Sequence, residues 1–387
     1  MKLAFRKSFS LLILLFIINN SLFSQISKHL KLGGALRFNY RYKNWDTYSK
    51  NVGGDFVLDI FRLNAKANYS NLFLDAEYRF YPSDFGGGML HHGFIGYNFN
   101  ENINIQIGVN QVPFGLLPYT GHSWFANLPY YIGLGDDHDA GIKLEYKKSN
   151  WNLALAWYKN AEGGKKWIKY SNGKSGYGVD PARYSYDLAG DVEETNQGNA
   201  RVEYELNNQK FGVSGQLGNY FNHVTKKNNS HYALAVHYQG SFLKEKRLDI
   251  RLEALKYNYI GTKENTITIV AFNYPYNIAN EAYVFLGGIA YTIPINWKFI
   301  KSIQIYENYS YMHKPVNGFN DTQMNVVGML VEAGPVYTYI DYASAKNQDW
   351  FGPWGAFGKN ANSYGLGRGA ENPEWNSWLN INIGYYF

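Results

Sequence analysis

Two short runs carry groups that hold metal ions: His91-His92 and Asp136-Asp137-His138-Asp139. The oxygen-rich run suits a hard divalent cation such as Ca²⁺. Polar loop residues at a water-filled mouth account for both runs without an ion, so no metal and no cofactor is expected. Catalysis of the Ser–His kind needs a serine, a histidine and an orienting group within hydrogen-bond reach. His231 and His237 share one face of a segment, but no serine-centred motif accompanies them, and the chain is read as a non-enzyme. A third chemistry lies in Arg37, Arg41 and Lys43, which recur on the polar face of an alternating segment, with Arg62, Lys66 and Arg79 on the two segments that follow. A basic face enclosing water concentrates anions without a binding pocket. A fourth lies in Trp350, Phe351, Trp354, Phe357, Tyr364 and Trp375, set among glycines near the carboxy terminus. Aromatic platforms stack on sugar rings, although loop self-packing and an interfacial aromatic belt explain them more simply.

The elements that must position these groups are strands. In the last eleven residues Leu379, Ile381, Ile383, Tyr385 and Phe387 share one face, and Trp378, Asn380, Asn382, Gly384 and Tyr386 share the other. A period of two with one apolar face is a half-buried strand, and roughly ten residues suffice for a tilted strand to cross a bilayer core. An aromatic carboxy terminus preceded by alternate apolar residues also resembles the assembly signal of outer-membrane barrels, which makes Phe387 and Tyr385 its candidate residues.

The alternation runs back to Lys31. Phe61, Leu63, Ala65, Ala67 and Tyr69 oppose Phe80, Tyr78, Ala76, Leu74 and Leu72 if Ser70-Asn71 is a two-residue turn. A slip of one residue would turn charges toward lipid, so the pattern fixes the register. In that register Lys66 meets Asp75, Asn64 meets Glu77, and Arg62 meets Arg79. Sixteen such strands are expected, near 31–43, 61–69, 72–80, 90–99, 103–110, 140–146, 151–158, 198–206, 210–219, 230–239, 247–257, 282–293, 302–312, 322–333, 336–343 and 376–387. Connections after even-numbered strands are short, whereas those after odd-numbered strands reach 111–139, 159–197 and 344–375. Short turns at one end and long loops at the other mark an outer-membrane barrel. The fold expected is therefore all-β: a transmembrane, antiparallel, up-and-down barrel. Residues 266–273 could add a strand inside a loop, and Glu307 falls on the lipid face unless a bulge shifts it.

Composition agrees. The 387 residues include 35 tyrosines and no cysteine, and the mean hydropathy of −0.38 argues against helical membrane spans but not against a barrel. Lys2, Arg6 and Lys7 precede the apolar run 11–18, the order of a cleaved secretory signal ending near Ser24. Its removal lowers the formal net charge from +6 to +3, so nothing points to nucleic acid. The chain divides into a signal peptide at 1–24 and a barrel at 25–387.

Two segments resemble the phosphate-selective porin O and P family: 61–69 with its return 73–78, and Ile107 to Gly115 with its Val112-Pro113-Phe114-Gly115 exit, followed by a long loop and the strand from Asp139. The resemblance implies a sixteen-stranded channel in a homotrimer, with loop 111–139 folded into the lumen. Pro113, Phe114, Asp136, Asp137 and Asp139 then belong to the constriction. The charge inventory departs from the family. Nine basic lumen positions, including Lys143, Arg201 and Arg251, face nine acidic ones, including Asp55, Asp59, Glu145 and Glu253, which is not a phosphate filter. The expected function is a passive porin for small hydrophilic solutes or ions, with mild anion preference. A sugar- or phosphate-specific channel and a non-conducting adhesin or anchor are the alternatives. Its expected partners are outer-membrane lipid and lipopolysaccharide, the barrel-assembly machinery and the diffusing solutes.

Overall fold

The computed structural model describes residues 29–163, 165–169, 175–179, 183–353, 357, 365, 367 and 374–387. The expected signal peptide at 1–24 lies outside them, as do Trp354 and Tyr364.

Alternation of apolar and polar residues makes sixteen strands, and they close into one antiparallel barrel. They are β1 (Leu30–Lys43), β2 (Asp55–Tyr69), β3 (Leu72–Phe80), β4 (Gly88–Asn98), β5 (Ile103–Gln111), β6 (His138–Lys148) and β7 (Trp151–Ala161), then β11 (Val192–Leu206), β12 (Gln209–Asn222), β13 (Lys227–Phe242) and β14 (Leu248–Tyr259), and last β17 (Glu281–Trp297), β18 (Ile300–His313), β19 (Thr322–Ala333), β20 (Val336–Lys346) and β21 (Asn376–Tyr386). Each coincides with an expected strand. The loops hold a hairpin of β8 (Lys165–Lys169) and β9 (Ser175–Val179), and a three-stranded sheet of β10 (Asp187–Leu188), β15 (Thr266–Ala271) and β16 (Tyr274–Ala279). The strand suspected in 266–273 is therefore present, in the loop sheet. One short helix, α1 (Thr47–Val52), caps the β1–β2 connection.

The β2–β3 register is the expected one, from Tyr69 opposite Leu72 to Phe61 opposite Phe80. Ser70 takes φ 54° at the turn, the positive value a primed hairpin turn asks of its first central residue. The barrel closes where β1 pairs with β21, and Phe387 exchanges both backbone hydrogen bonds with Gly34 at 2.9 and 3.1 Å. On β21, Tyr385 and Phe387 stay 52% and 60% exposed on the outer face while Asn380 and Asn382 are buried inside. The outer surface is an apolar band that includes Leu63, Leu74, Ile107 and Leu155. Glu307 stays on that face, opposite Val327, because the bulge in this region lies at Pro294/Trp297 and does not reach it. Asn325 donates to its carboxylate at 2.8 Å.

Two bulges break the alternation and matter for the lumen. Opposite Arg37/Phe38 the β2 partner skips from Ile60 to Leu58, leaving Asp59 unpaired in the ladder. Opposite Glu77/Tyr78 the β4 partner skips from His92 to Leu90, leaving His91 unpaired. A bulge re-aims a side chain that strict alternation would send outward. Asp59 and His91 are both buried within the barrel.

A barrel of sixteen strands is too wide for its own side chains to fill. Here the long loops fold into it. Val112, Phe114, Leu128, Tyr131, Tyr186, Ile269 and Tyr276 belong to one apolar cluster inside the long-loop end.

Candidate pore constriction

The connection from β5 to β6 starts and ends side by side, since Gln111 pairs with His138 and the Val112 N–H donates to the Asp137 carbonyl at 2.9 Å. Pro113 and Phe114 are buried immediately beyond that neck. Gly115 has φ 58°, and a Cβ there would come within 2.5 Å of the Glu253 carboxylate, so the chain passes where only glycine fits. The Gly115 N–H donates to Ser214 Oγ at 2.9 Å, and Arg201 Nε donates to the Gly115 carbonyl at 2.9 Å. The Leu116 N–H donates to Glu253 at 2.6 Å. Further along, Arg251 donates to the Gly121 carbonyl at 2.7 Å, His122 Nε2 pairs with Asp249 at 2.7 Å, and the Trp124 N–H donates to Asp341 at 3.1 Å. These partners belong to β11, β12, β14 and β20. The segment therefore crosses the barrel interior and is bonded to the far wall. None of these anchors was identifiable in advance, since alternation marks Glu253 and Asp249 as interior without saying what they meet.

Between this loop and the β1–β3 wall lies a cavity of about 790 Å³. Five basic residues line it, Arg37, Arg41, Lys43, Arg62 and Arg79, with the acids Asp59, Asp84 and Asp136. Lys66 does not reach this cavity and pairs with Asp75 at 2.9 Å. The basic residues are mostly answered within the sheet. Arg37 meets Asp59 at 2.8 Å, and Arg41 stands 3.8 Å from Asp55. Arg62 and Arg79, directly opposed, share Glu77 at 3.3 and 2.6 Å, which offsets their repulsion. Lys43 lies over the Trp378 ring at 4.1 Å.

On the other side of the loop the signs reverse. Asp137, Asp139 and Asp187 bring carboxylate oxygens within 4.8 Å of one another, and all three are buried. Arg183 pairs with Asp187 at 3.0 Å. Burial, then repulsion from Asp187 and Glu194, holds the Asp137 carboxyl well above its usual range. Burial and Asp187 do the same to Glu162, whose carboxylate accepts from the Tyr184 and Ser185 N–H groups at 3.1 Å each. Asp136 points away from this group, accepting from Tyr184 Oη at 2.6 Å and from Gln111 at 3.0 Å, and burial pushes it up to about 7.

Of the aromatic residues in the last long loop, Trp350, Phe351 and Phe357 pack on neighbouring segments, while Trp375 stays 46% exposed. Trp350 stands 5.0 Å from Tyr274, Phe351 stands 5.6 Å from Phe125, and Phe357 stands 5.5 Å from Phe319. His231 stacks on Tyr259 at 5.2 Å, and His237 meets Glu203 at 3.3 Å.

A closed barrel of sixteen antiparallel strands, with a loop bonded across its interior, is the fold of outer-membrane porins. Solved structures of that class superpose on nearly the whole chain. An anion-selective porin from Comamonas acidovorans is 12% identical with a TM-score of 0.56, over 92% of this chain and 99% of its own. The outer membrane channel DcaP of Acinetobacter baumannii is 13% identical with a TM-score of 0.56, over 92% and 97%. The outer membrane protein OmpT of Vibrio cholerae, in trimer form, is 13% identical with a TM-score of 0.53, over 92% and 99%. At these identities the likeness is one of fold. No family model and no curated protein matches the sequence.

Proposed function

We propose that the chain forms a water-filled channel in the outer membrane, passing small hydrophilic solutes or ions with a mild preference for anions. The observation that carries this is the cavity of about 790 Å³ between the crossing loop and a charged wall, enclosed by a barrel with an apolar outer band. Loop 111–139 is its constriction, with Pro113 and Phe114 at the neck and Asp136 facing the cavity. Five cations against three acids on the lining favour anions, but the in-sheet pairing of the arginines keeps the preference small. The same pairing argues against a phosphate filter, whatever the likeness to the phosphate-selective family. No catalytic role is assigned.

Assembly follows the same reading. A signal at 1–24 exports the chain, and Tyr385 and Phe387 present it to the barrel-assembly machinery in a membrane of lipid and lipopolysaccharide. A homotrimer agrees with the trimeric Vibrio protein, and Glu307 with Asn325 is an outward polar pair that hydrocarbon cannot satisfy but a second copy can cover.

Purified protein in planar bilayers provides the test. Stepwise conductance is expected, with a zero-current potential of anion-selective sign in a KCl gradient at low salt, where screening is weakest. Arg37→Glu with Arg62→Glu should reduce or reverse that sign. A second reading, a non-conducting barrel serving as adhesin or anchor, is favoured by the apolar cluster packed into the long-loop end. Absence of conductance at high protein would select it.

A further inference from the structure

Three histidines from separate parts of the sequence meet on the inner wall. His91 and His92 are consecutive on β4, and alternation would place them on opposite faces. The bulge at His91 turns both rings inward. His138, the first residue of β6, comes beside them, with ring centroids 4.3 Å from His91 and 5.9 Å from His92. One nitrogen from each of the three rings lies within 4.8 Å of the others, close enough for small side-chain shifts to bring all three onto one ion.

The outer edges of the rings are held as ligand histidines are held. His92 Nε2 meets Asp75 at 3.2 Å, and His138 Nδ1 meets the Asp136 carbonyl at 3.2 Å. Each ring is thus fixed in orientation through one nitrogen, and the other nitrogen of His92 contacts His91. A carboxylate or carbonyl on the remote nitrogen is the usual support of a metal-bound imidazole. His91 Nδ1 stands 2.7 Å from His92 Nδ1, while its Nε2 is buried with no hydrogen-bond partner. Glu77 and Asp136 add carboxylates 3.9 and 4.0 Å from that ring. Arg79 is turned onto Glu77 and the Tyr184 ring.

We propose that His91, His92 and His138 bind a late first-row divalent ion of the zinc, nickel or copper class. Three imidazoles select that class over Ca²⁺ and Mg²⁺, which take oxygen donors. The ion would tie β4 to the root of the crossing loop and add positive charge beside the basic wall. This inference does not depend on the chain conducting.

The experiment uses tag-free, folded full-length chain, stripped with chelator and titrated with Co²⁺ as the optical probe, then with Zn²⁺ in competition. One Co²⁺ per chain is expected, with ligand-field absorption bands that Zn²⁺ removes. His91→Ala with His138→Ala should weaken binding by at least about 100-fold, and Asp75→Asn, which keeps all three ligands, by about 10–100-fold. Asp137→Asn with Asp139→Asn should leave the bands unchanged, separating this site from the neighbouring carboxylates. Circular dichroism and heat-modified migration on gels verify that each variant forms the barrel. If the double histidine variant does not fold, Asp75→Asn and His92→Gln carry the test. A wild type that takes up no ion, or histidine variants that bind as tightly as wild type, would overturn the proposal.

Discussion

The two sides of the crossing loop solve the same electrostatic problem in opposite ways. On the β1–β3 side charges come in pairs laid down within the sheet: Arg37 with Asp59, Lys66 with Asp75, and Arg62 and Arg79 on Glu77. On the β6–β11 side acids gather among the described residues: Asp137, Asp139, Glu162, Asp187 and Glu194 lie together, with Arg183 paired to Asp187. Paired charges can stand at a water-filled wall with little net field. Unpaired carboxylates in a buried cluster repel each other and favour protonation. The first arrangement suits a rigid channel wall. The second stores unfavourable charge where the loops after β5 and β7 meet.

The largest effect should come from unpairing the wall. Glu77→Gln leaves Arg62 and Arg79 opposed without a carboxylate, and breaking a buried pair of this kind costs about 3–5 kcal/mol. A lipid refolding titration measures it. A loss well under 1 kcal/mol would mean that water, and not Glu77, screens the two guanidinium groups.

The comparison also presupposes which residues face the lumen. Leu63→Arg puts a charge on the outer band and should cost about 2–4 kcal/mol near the bilayer midplane, whereas Asn64→Arg, turned inward beside Glu77, should be nearly neutral. Equal losses in the same titration would reverse the face assignment.

The barrel was legible because lipid enforces alternation over every strand. The pairing of Tyr69 with Leu72 through Phe61 with Phe80 followed from apolar residues having to meet on one face. The site was less legible, since it arises where alternation fails. His91 owes its inward position to a bulge, which no period-two pattern announces, so the sequence suggests only a metal-free mouth where three histidines in fact converge. The anchoring of Gly115 and Leu116 on Ser214 and Glu253 joins residues 99 and 137 positions apart, with no local signal for either partner. The aromatic residues of the last loop were legible only as apolar groups, since Trp350, Phe351 and Phe357 pack on rings of other segments that no local signal marks.

On the acidic side a substitution should act with the opposite sign. Glu162→Gln keeps an acceptor for the Tyr184 and Ser185 N–H groups while removing one charge from the cluster. In chelator, above the pH at which the folded Glu162 carboxyl loses its proton, folding should gain on the order of 2 kcal/mol from the lost repulsion. A net loss would show that the cluster's charge is compensated in solution and would remove half of the contrast.

The smallest effect is a pH dependence confined to the acidic side. Burial holds the Glu162 carboxyl above its ordinary value of 4.5 in the folded chain. The sign follows from proton binding: above pH 4.5 the unfolded carboxyl has lost a proton that the folded one keeps. Stability from this group is therefore complete below 4.5 and declines as pH rises toward and through the raised folded value. Hydrogen exchange of the Tyr184–Leu188 backbone should quicken beyond the intrinsic pH effect between pH 5 and pH 8, by at most about tenfold per unit for one titrating group. Glu162→Gln should flatten the slope, and amides around Glu77 on β3 should show none of it in either protein. A wall segment that followed the same pH course as Tyr184–Leu188 would mean that the two sides titrate as one network and that the contrast between them is false.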